Sequence, residues 1–337
     1  MALRMIEMVL PEDIGNYAQE YLRDQSDLPI LGFWSQLLVS GEVLVRVLLD
    51  AEHAEAVLDV LENNYGSIEG FKAILLPVEA SVPRPEPAEE ASAKADPTER
   101  GGPKRISREE LYFDVVDSTK LSKVYVAMVL LSAIVASIGV LRDNIAVVIG
   151  AMVIAPLLGP NVALSLATTL GDGNLARTAL KASAVGIGLT LVLSFGVGYF
   201  LDVDPSIHEI ASRTTVSLSD IALALAAGAA GALAFTSGVP TALVGVMVAV
   251  ALLPPLVTHG LLLGSKFFQL AWGALLLFLT NFIAINLSGV ACFLLQGVSP
   301  RVWWEADKAR KAARKAILLW FTLLLALLAI IILSQGS

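Results

Sequence analysis

Two kinds of hydrophobic pattern divide the chain at about residue 120. Before it, short apolar runs alternate with polar positions or recur at helical spacing, as at 4–10 and 51–65. After it, apolar stretches reach the length of about 20 helical residues that crosses a bilayer. The pattern predicts a small α+β domain followed by an α-helical multi-pass membrane domain.

The first 80 residues predict the order strand, helix, strand, strand, helix, strand. The strands are expected at 4–10, 33–39, 43–49 and 71–78, and the helices at 13–22 and 51–65. Because βαββαβ is the order of the ferredoxin-like fold, we expect residues 1–80 to form such a domain. Residues 81–106 are rich in Pro, Ala and Glu, a composition that predicts a flexible linker.

Seven apolar stretches follow and predict seven membrane spans. They lie at 121–141, 145–170, 176–201, 221–238, 241–263, 270–295 and 316–333. We therefore expect a transmembrane domain over 107–300, and over 301–337 a basic segment followed by the last transmembrane helix. With the first span so far from the N-terminus, we expect no signal peptide.

The positively charged residues predict the orientation of these spans. If the N-terminal domain is cytoplasmic, only Arg142, Arg213 and Lys266 lie on the outer side. Thirteen others then lie inside, namely Lys104, Arg105, Arg108, Lys120, Lys123, Arg177, Lys181, Arg301, Lys308, Arg310, Lys311, Arg314 and Lys315. The positive-inside rule therefore predicts a protein of the plasma (inner) membrane with its N-terminal domain cytoplasmic and its C-terminus outside.

The spans contain an internal repeat with an offset of 95 residues. Gly150-Ala151-Met152-Val153 recurs as Gly245-Val246-Met247-Val248, and Gly159-Pro160 recurs as Pro254-Pro255. The offset also relates the third span to the sixth, so we expect two three-helix repeats at about 121–201 and 216–296. Because three spans is an odd number, the second repeat enters the bilayer from the opposite side, which predicts a 3+3 inverted repeat plus one C-terminal helix.

Prolines inside the second and fifth spans predict broken helices at matching positions. A proline in a helix leaves a carbonyl without its hydrogen bond, and in hydrocarbon that carbonyl needs another partner. Inverted repeats with interrupted helices are typical of secondary transporters, whose sites lie where the interrupted helices meet. The alternative is that the prolines only kink helices that pack closely through small residues.

Polar residues within the spans are few and are candidates for a pathway. The alternatives are interhelical hydrogen bonding for the Asn and His side chains and helix capping for Asp143 and Asn144. Asn281 and Asn286 are five residues apart, so we expect them to point in different directions. The candidates are Asp143, Asn144, Gly150, Met152, Pro156, Gly159, Pro160, Asn161, Gly245, Met247, Pro254, Pro255, Thr258, His259, Asn281 and Asn286.

Composition and motifs argue against other classes of protein. The chain has 56% hydrophobic and only 16% charged residues and a net charge of −8, which does not favour a nucleic-acid partner. Its one cysteine, Cys292, forms no intramolecular disulfide, and no motif for a metal, a cofactor or a catalytic nucleophile is present. We therefore expect neither an enzyme nor a bound cofactor.

The run from Asp143 to Pro160, DNIAVVIGAMVIAPLLGP, resembles the signature of the domain of unknown function 389 (DUF389) family, the uncharacterised hydrophobic domain membrane proteins. Ser107-Arg108-Glu109-Glu110-Leu111 and the ferredoxin-like domain also resemble members of that family. Ala155 stands before Pro156, where the family pattern leads us to expect a serine. The resemblance implies the fold and no activity.

Two functions fit these observations. The first is a transporter or channel for a small solute or ion, with its site at broken helices 2 and 5. The alternative is a membrane-anchored sensor or scaffold whose cytoplasmic domain binds a small metabolite or a protein. In both cases the partners are the lipid bilayer and a second copy of the chain in a homo-oligomer, because the small N-terminal domain would gain from pairing. The Ala/Gly-rich span 221–238 offers a surface for close helix contact, either within the protomer or between protomers.

Overall fold

The structure is a computed structural model that describes residues 3–24, 29–68, 71–79, 106–237, 241–298, 311, 314–315 and 317–329. The side chains of residues 16, 19, 20, 23, 24 and 241–247 are outside this description. The predicted linker, apart from Ile106, also lies outside it. The chain forms two compact units, residues 1–112 and 113–337.

The first unit contains one four-stranded antiparallel sheet and two long helices. Its elements are β1 (Leu3–Pro11), α1 (Glu12–Asp24), β2 (Ile30–Leu37), β3 (Glu42–Asp50), a 3-10 turn (Ala51–His53), α2 (Ala54–Tyr65) and β4 (Lys72–Val78). The order of strands in the sheet is β2-β3-β1-β4. The six predicted elements are therefore present in the predicted order.

Side-chain alternation gives this sheet one buried and one open face. In β1, Ile6, Met8 and Leu10 are fully buried, whereas the residues between them are half-buried. The buried face packs against α1 and α2, and its core consists of Ile6, Met8, Leu10, Ala18, Leu22, Val43, Val45, Val47, Leu49, Ala54, Val57, Leu61 and Tyr65. Alternation of period two therefore decides which residues meet the helices.

Residues 106–112 return to the first unit and dock on it. Arg4 donates two hydrogen bonds to the Glu110 carboxylate, at 3.0 and 2.7 Å. Arg108 lies within salt-bridge distance of Glu55 and Asp59 on α2. Burial opposes the charge of Arg108, but neighbouring carboxylates, Glu109 first, outweigh it and hold its pKa above the ordinary value. This segment begins α3 (Arg108–Ser118).

The second unit is built from helices. They are α4 (Lys123–Leu141), α5 (Ile145–Ile154), α6 (Leu158–Leu170), α7 (Gly173–Phe200), α8 (His208–Ala211), α9 (Leu218–Ser237), α10 (Thr241–Gly264), α11 (Phe268–Leu295) and α12 (Ile317–Ala329). Within the described residues, α4, α7, α9 and α11 each have the length and composition of a membrane span, and α5 with α6 supplies a fifth as a bent pair.

The predicted break in the second span is present. α5 and α6 meet at residues 155–157 with a bend of 55°. Ala155 has φ −67° and ψ 120° because the ring of Pro156 excludes helical geometry at the preceding residue. Pro156 and Pro160 lack the N–H groups that would bond to the carbonyls of Met152 and Pro156. The chain therefore changes direction at this point.

The prediction that the fifth span is also broken is wrong. α10 runs as one helix from Thr241 to Gly264, with Pro254 and Pro255 inside it. At the position 95 residues after Pro156 stands Ala251, whose backbone N–H is retained. Pro255 does remove the partner of the Ala251 carbonyl, but the side chain of Asn281 donates a hydrogen bond of 2.8 Å to that oxygen. A substitute donor thus keeps the helix continuous.

Small residues allow the long helices of the second unit to approach closely. α7 packs against α10, α11 against α6, and α9 against α11. A Cβ at Gly198 would collide with the Leu261 carbonyl, and one at Gly228 would collide with the Ile285 carbonyl. The Ala/Gly-rich face of α9 is therefore used for packing within the chain.

Candidate functional site

A small cavity lies at the break of the second span. It is enclosed by residues of α4, α7, α10 and α11 and of the start of α6, and the volume that the centre of a water molecule can occupy is about 10 Å³. That volume holds one water molecule. The lining residues are Tyr125, Leu157, Pro160, Asn161, Ser183, Ile187, Leu252, Phe278 and Phe282.

Six of the lining residues form three pairs with the repeat offset of 95. Leu157 pairs with Leu252, Ser183 with Phe278, and Ile187 with Phe282. Because the lining residues come from both 121–201 and 216–296, the cavity lies between these two segments, next to Pro160 in the first turn of α6 and to Leu252 of α10.

Two hydroxyl groups at the cavity are deeply buried. The Tyr125 hydroxyl donates a hydrogen bond of 2.8 Å to the Ala182 carbonyl. The Ser183 Oγ has no hydrogen-bond partner among the described residues, although Ser183 is only 6% exposed. Buried polar groups in folded proteins are almost always paired, so an unpaired hydroxyl at a cavity is an available binding group.

A second polar cluster connects α6 with α11. Asn286 donates a hydrogen bond of 3.2 Å from Nδ2 to the Asn161 Oδ1, and Ser165 Oγ is 3.3 Å from the Asn286 Oδ1. The Asn161 Nδ2 donates to the Leu157 carbonyl at 2.7 Å, inside the first turn after the break. All three side chains are buried. The cluster fixes α11 against the start of α6 and orients Asn161 beside the cavity.

Asn281 and Asn286 bond to different helices, which confirms that they point in different directions. Asn281 reaches the Ala251 carbonyl of α10, whereas Asn286 reaches α6. The Asn281 Oδ1 is buried without a hydrogen-bond partner among the described residues. Asn281 is thus a structural donor for α10, and its oxygen remains open to a further partner.

The other polar candidates of α10 lie beyond its prolines. Thr258 is fully buried, and its Oγ1 has no hydrogen-bond partner within the described ranges. The His259 Nδ1 is 2.8 Å from the Ala271 carbonyl of α11. His259 therefore makes an interhelical hydrogen bond, which was the alternative to a role in a pathway.

Several predicted candidates lie away from the cavity. The Asn144 side chain caps α5 by accepting a hydrogen bond of 3.2 Å from the Val147 N–H, and the Asp143 Oδ1 accepts one of 2.9 Å from the Glu209 N–H. Gly150 is exposed, and Met152 is buried within α5. Gly245 and Met247 lie on the described helical backbone of α10, but their burial and contacts are outside the description.

The first unit offers a separate concavity of about 690 Å³ on the open face of its sheet. An ion pair of 2.6 Å between Arg46 and Glu7 lies at this concavity, beside the half-exposed ring of Trp34. Met5 and Leu44 add apolar surface. This face combines both signs of charge with an aromatic wall.

Sequence reasoning nominated Pro160 and Asn161 but missed Tyr125, Ser183 and the two phenylalanines of the cavity. An available signal was the repeat itself, because the offset of 95 carries Ser183 and Ile187 onto Phe278 and Phe282. Among the described residues, no group of three or more His, Cys, Asp and Glu side chains lies close enough to hold a metal ion.

Apolar helices of this length and composition, joined to a small α+β unit, are compatible with a membrane protein. The sequence profile of the domain of unknown function DUF389 matches residues 152–287. The uncharacterized protein MJ0678 of Methanocaldococcus jannaschii is 37% identical over 333 residues, which cover 98% of this chain and 99% of the archaeal protein. The chain belongs to the DUF389 family. No solved structure matches it.

Proposed function

We propose that the protein is a membrane transporter or channel for a small solute or ion, and that the solute passes through the cavity between the two repeats. The observation that carries this proposal is the lining of the cavity by three repeat-related pairs. In inverted-repeat transporters the substrate site lies at the repeat interface near the bilayer midplane.

The helix boundaries support the repeat. α9 begins 95 residues after α4, at 218 and 123, and α11 begins 95 residues after α7, at 268 and 173. Both α7 and α11 are 28 residues long. If α5 with α6, and likewise α10, each count as one span, each repeat has three spans, and we propose α12, which is described over 13 residues, as the seventh. An odd number of spans per repeat requires the inverted arrangement.

Contacts between the repeats support the same symmetry. Ser194 of α7 packs at Gly260 of α10, and Gly289 of α11 packs at Ser165 of α6. The offset of 95 converts each of these pairs into the other, with serine and glycine exchanged. In each case, the third helix of one repeat therefore contacts the second span of the other repeat where a serine side chain lies against a glycine.

The proposal also covers the fold and location of the first unit and the oligomeric state of the protein. The sheet order β2-β3-β1-β4 and the two helices on one face support a ferredoxin-like domain. The distribution of Lys and Arg favours a cytoplasmic position for it, with the C-terminus outside. We further propose a homo-oligomer, because a domain of about 80 residues gains stability from a partner copy.

Flux into proteoliposomes tests the transport proposal. Ile187 lines the cavity, so Ile187→Trp fills it and is expected to reduce flux of the transported solute at least tenfold. Leu180→Trp is the matched control, because Leu180 lies on the same helix and is 49% exposed. The assays use labelled small neutral solutes and inorganic ions. The proposal is contradicted if no protein-dependent flux is detected for any of them, or if Ile187→Trp and Leu180→Trp show equal flux.

The open face of the sheet favours a second candidate function, a sensor or scaffold. The Arg46–Glu7 pair beside Trp34 matches a small ligand that carries both charges, or a protein surface. Hydrogen exchange in the full chain tests this function. Exchange of β2 and β3 that slows when a metabolite mixture is added, in a protein that shows no solute flux, would favour a sensor or scaffold over a transporter.

A further inference from the structure

The cavity has two chemically different walls. The three polar side chains, Tyr125, Asn161 and Ser183, come from the first repeat, and two phenylalanines, Phe278 and Phe282, come from the second. The phenylalanines occupy the positions equivalent to Ser183 and Ile187. The first repeat therefore contributes the hydrogen-bonding groups of the cavity, and the second contributes its aromatic rings.

On the polar wall, the Tyr125 oxygen can only accept further hydrogen bonds. Its hydrogen is donated to the Ala182 carbonyl at 2.8 Å, and the ring is held in a buried position. Gly186 makes this placement possible, because a Cβ there would lie 2.7 Å from the Tyr125 hydroxyl. The hydroxyl therefore presents lone pairs and no proton to an occupant.

The Ser183 hydroxyl supplies the second oxygen. It is buried at the cavity without a hydrogen-bond partner among the described residues. A group in this state is stabilised by an occupant that bonds to it. The space for one water-sized particle limits that occupant, in this conformation, to an ion or molecule with about one heavy atom.

The aromatic part of the cavity lining favours a positive occupant over a negative one. Aromatic rings attract cations, and among the described residues no charged side chain of either sign lines the cavity, so no full charge competes with the two rings. The first turn of α6 is the local feature that favours an anion, since helix N-termini carry partial positive charge. However, Pro160 has no N–H in that turn, and Gly159 packs against Ser118.

We infer that the cavity binds a small monovalent cation of the ammonium or alkali-metal class. The oxygens of Tyr125 and Ser183 replace part of its water shell, and the rings of Phe278 and Phe282 supply the remaining attraction. The inference rests on the proposed transport function and names the chemical class of its cargo.

The test compares tracers and variants in proteoliposomes that contain the full chain. We expect protein-dependent uptake of rubidium to exceed that of chloride and urea. Ser183→Ala and Tyr125→Phe are each expected to reduce cation uptake about tenfold, because each removes one oxygen that contacts the ion. Ser194→Ala is the matched control, since its hydroxyl bonds to Thr190 within the same helix and does not line the cavity; its uptake should stay within about twofold of the parent.

The outcomes separate this inference from the transport proposal. Uptake of chloride or urea that depends on Ser183, without cation uptake, overturns the cation assignment and leaves transport standing. Cation uptake that is equal in Ser183→Ala, Tyr125→Phe and Ser194→Ala overturns the site. Absence of uptake for every tracer overturns both. Tyr125→Phe keeps the ring in place, and size-exclusion chromatography checks that each variant is folded.

Discussion

Asn281 replaces the hydrogen bond that Pro255 removes from α10, and this relation predicts a specific interaction between two substitutions. The Ala251 carbonyl would normally accept the N–H of residue 255, and here it accepts the Asn281 Nδ2 at 2.8 Å. Asn281→Leu keeps the approximate shape of the side chain but leaves that carbonyl without a donor. We expect a loss of about 1–2 kcal/mol in the free energy of unfolding.

Pro255→Ala returns the missing N–H, so it should remove most of this penalty. In the Pro255→Ala background, Asn281→Leu is expected to be neutral or stabilising, since it also removes the buried Asn281 Oδ1, which has no hydrogen-bond partner within the described part of the chain. The coupling energy between the two sites should therefore be about 1–2 kcal/mol. Unfolding by SDS in mixed micelles measures all four proteins of the cycle.

A matched cycle uses Asn286→Leu with Pro255→Ala. Asn286 bonds to Asn161 of α6 and not to α10, so its effect should add to that of Pro255→Ala. If Asn281→Leu costs the same free energy with and without Pro255, the amide does not serve the freed carbonyl, and the explanation for the continuity of α10 is refuted.

Three further predictions concern packing and the first unit. Gly198→Ala should destabilise the helical unit by about 1–3 kcal/mol because its Cβ meets the Leu261 carbonyl. Gly196→Ala, whose Cβ meets no atom of the described residues within 4 Å, should instead raise the free energy of unfolding in SDS by about 0.5–1 kcal/mol through its higher helix propensity. Arg4→Met should speed hydrogen exchange of residues 106–111, because it breaks the ion pair with Glu110. Arg46→Met is the control: Arg46 pairs with Glu7 on the open face of the sheet, so its loss should leave the exchange of residues 106–111 unchanged. Burial, and then the nearby Tyr21 and Tyr17, raise the pKa of Tyr65 above 10.0, so its neutral form stabilises the fold below about pH 10, and this contribution is lost as the pH rises through the raised pKa. The urea midpoint of the first unit, measured by Trp34 fluorescence with the other tryptophans replaced, should therefore fall as the pH rises above about 10. The fall should be smaller in Tyr65→Phe.

Local patterns predicted the elements of the first unit because period-two alternation and helical spacing are decided within a few residues. Ile6, Met8 and Leu10 all face the core, as their spacing requires. The same patterns could not show that residues 106–112 dock on this unit. That contact depends on Arg4 and Glu110, which are 106 positions apart.

The helical unit shows the same limit at Pro255. Sequence rules state correctly that Pro156 and Pro255 each remove a backbone hydrogen bond, and the second span does break. They do not state whether a distant side chain supplies a substitute, and Asn281 does so only because α11 packs against α10. The cavity was likewise not predictable from polarity, since most of its lining residues are apolar.

The most direct test of the central claim is the accessibility of Ser183 from the two sides of the membrane. Cys292 is the chain's one cysteine, so Cys292→Ala with Ser183→Cys places a single thiol at the cavity. If solute passes between the repeats, a membrane-impermeant thiol reagent should label this position from each side separately, while Ser194→Cys in the same background stays unlabelled. Labelling of Ser183→Cys from one side at most would contradict a pathway through the cavity.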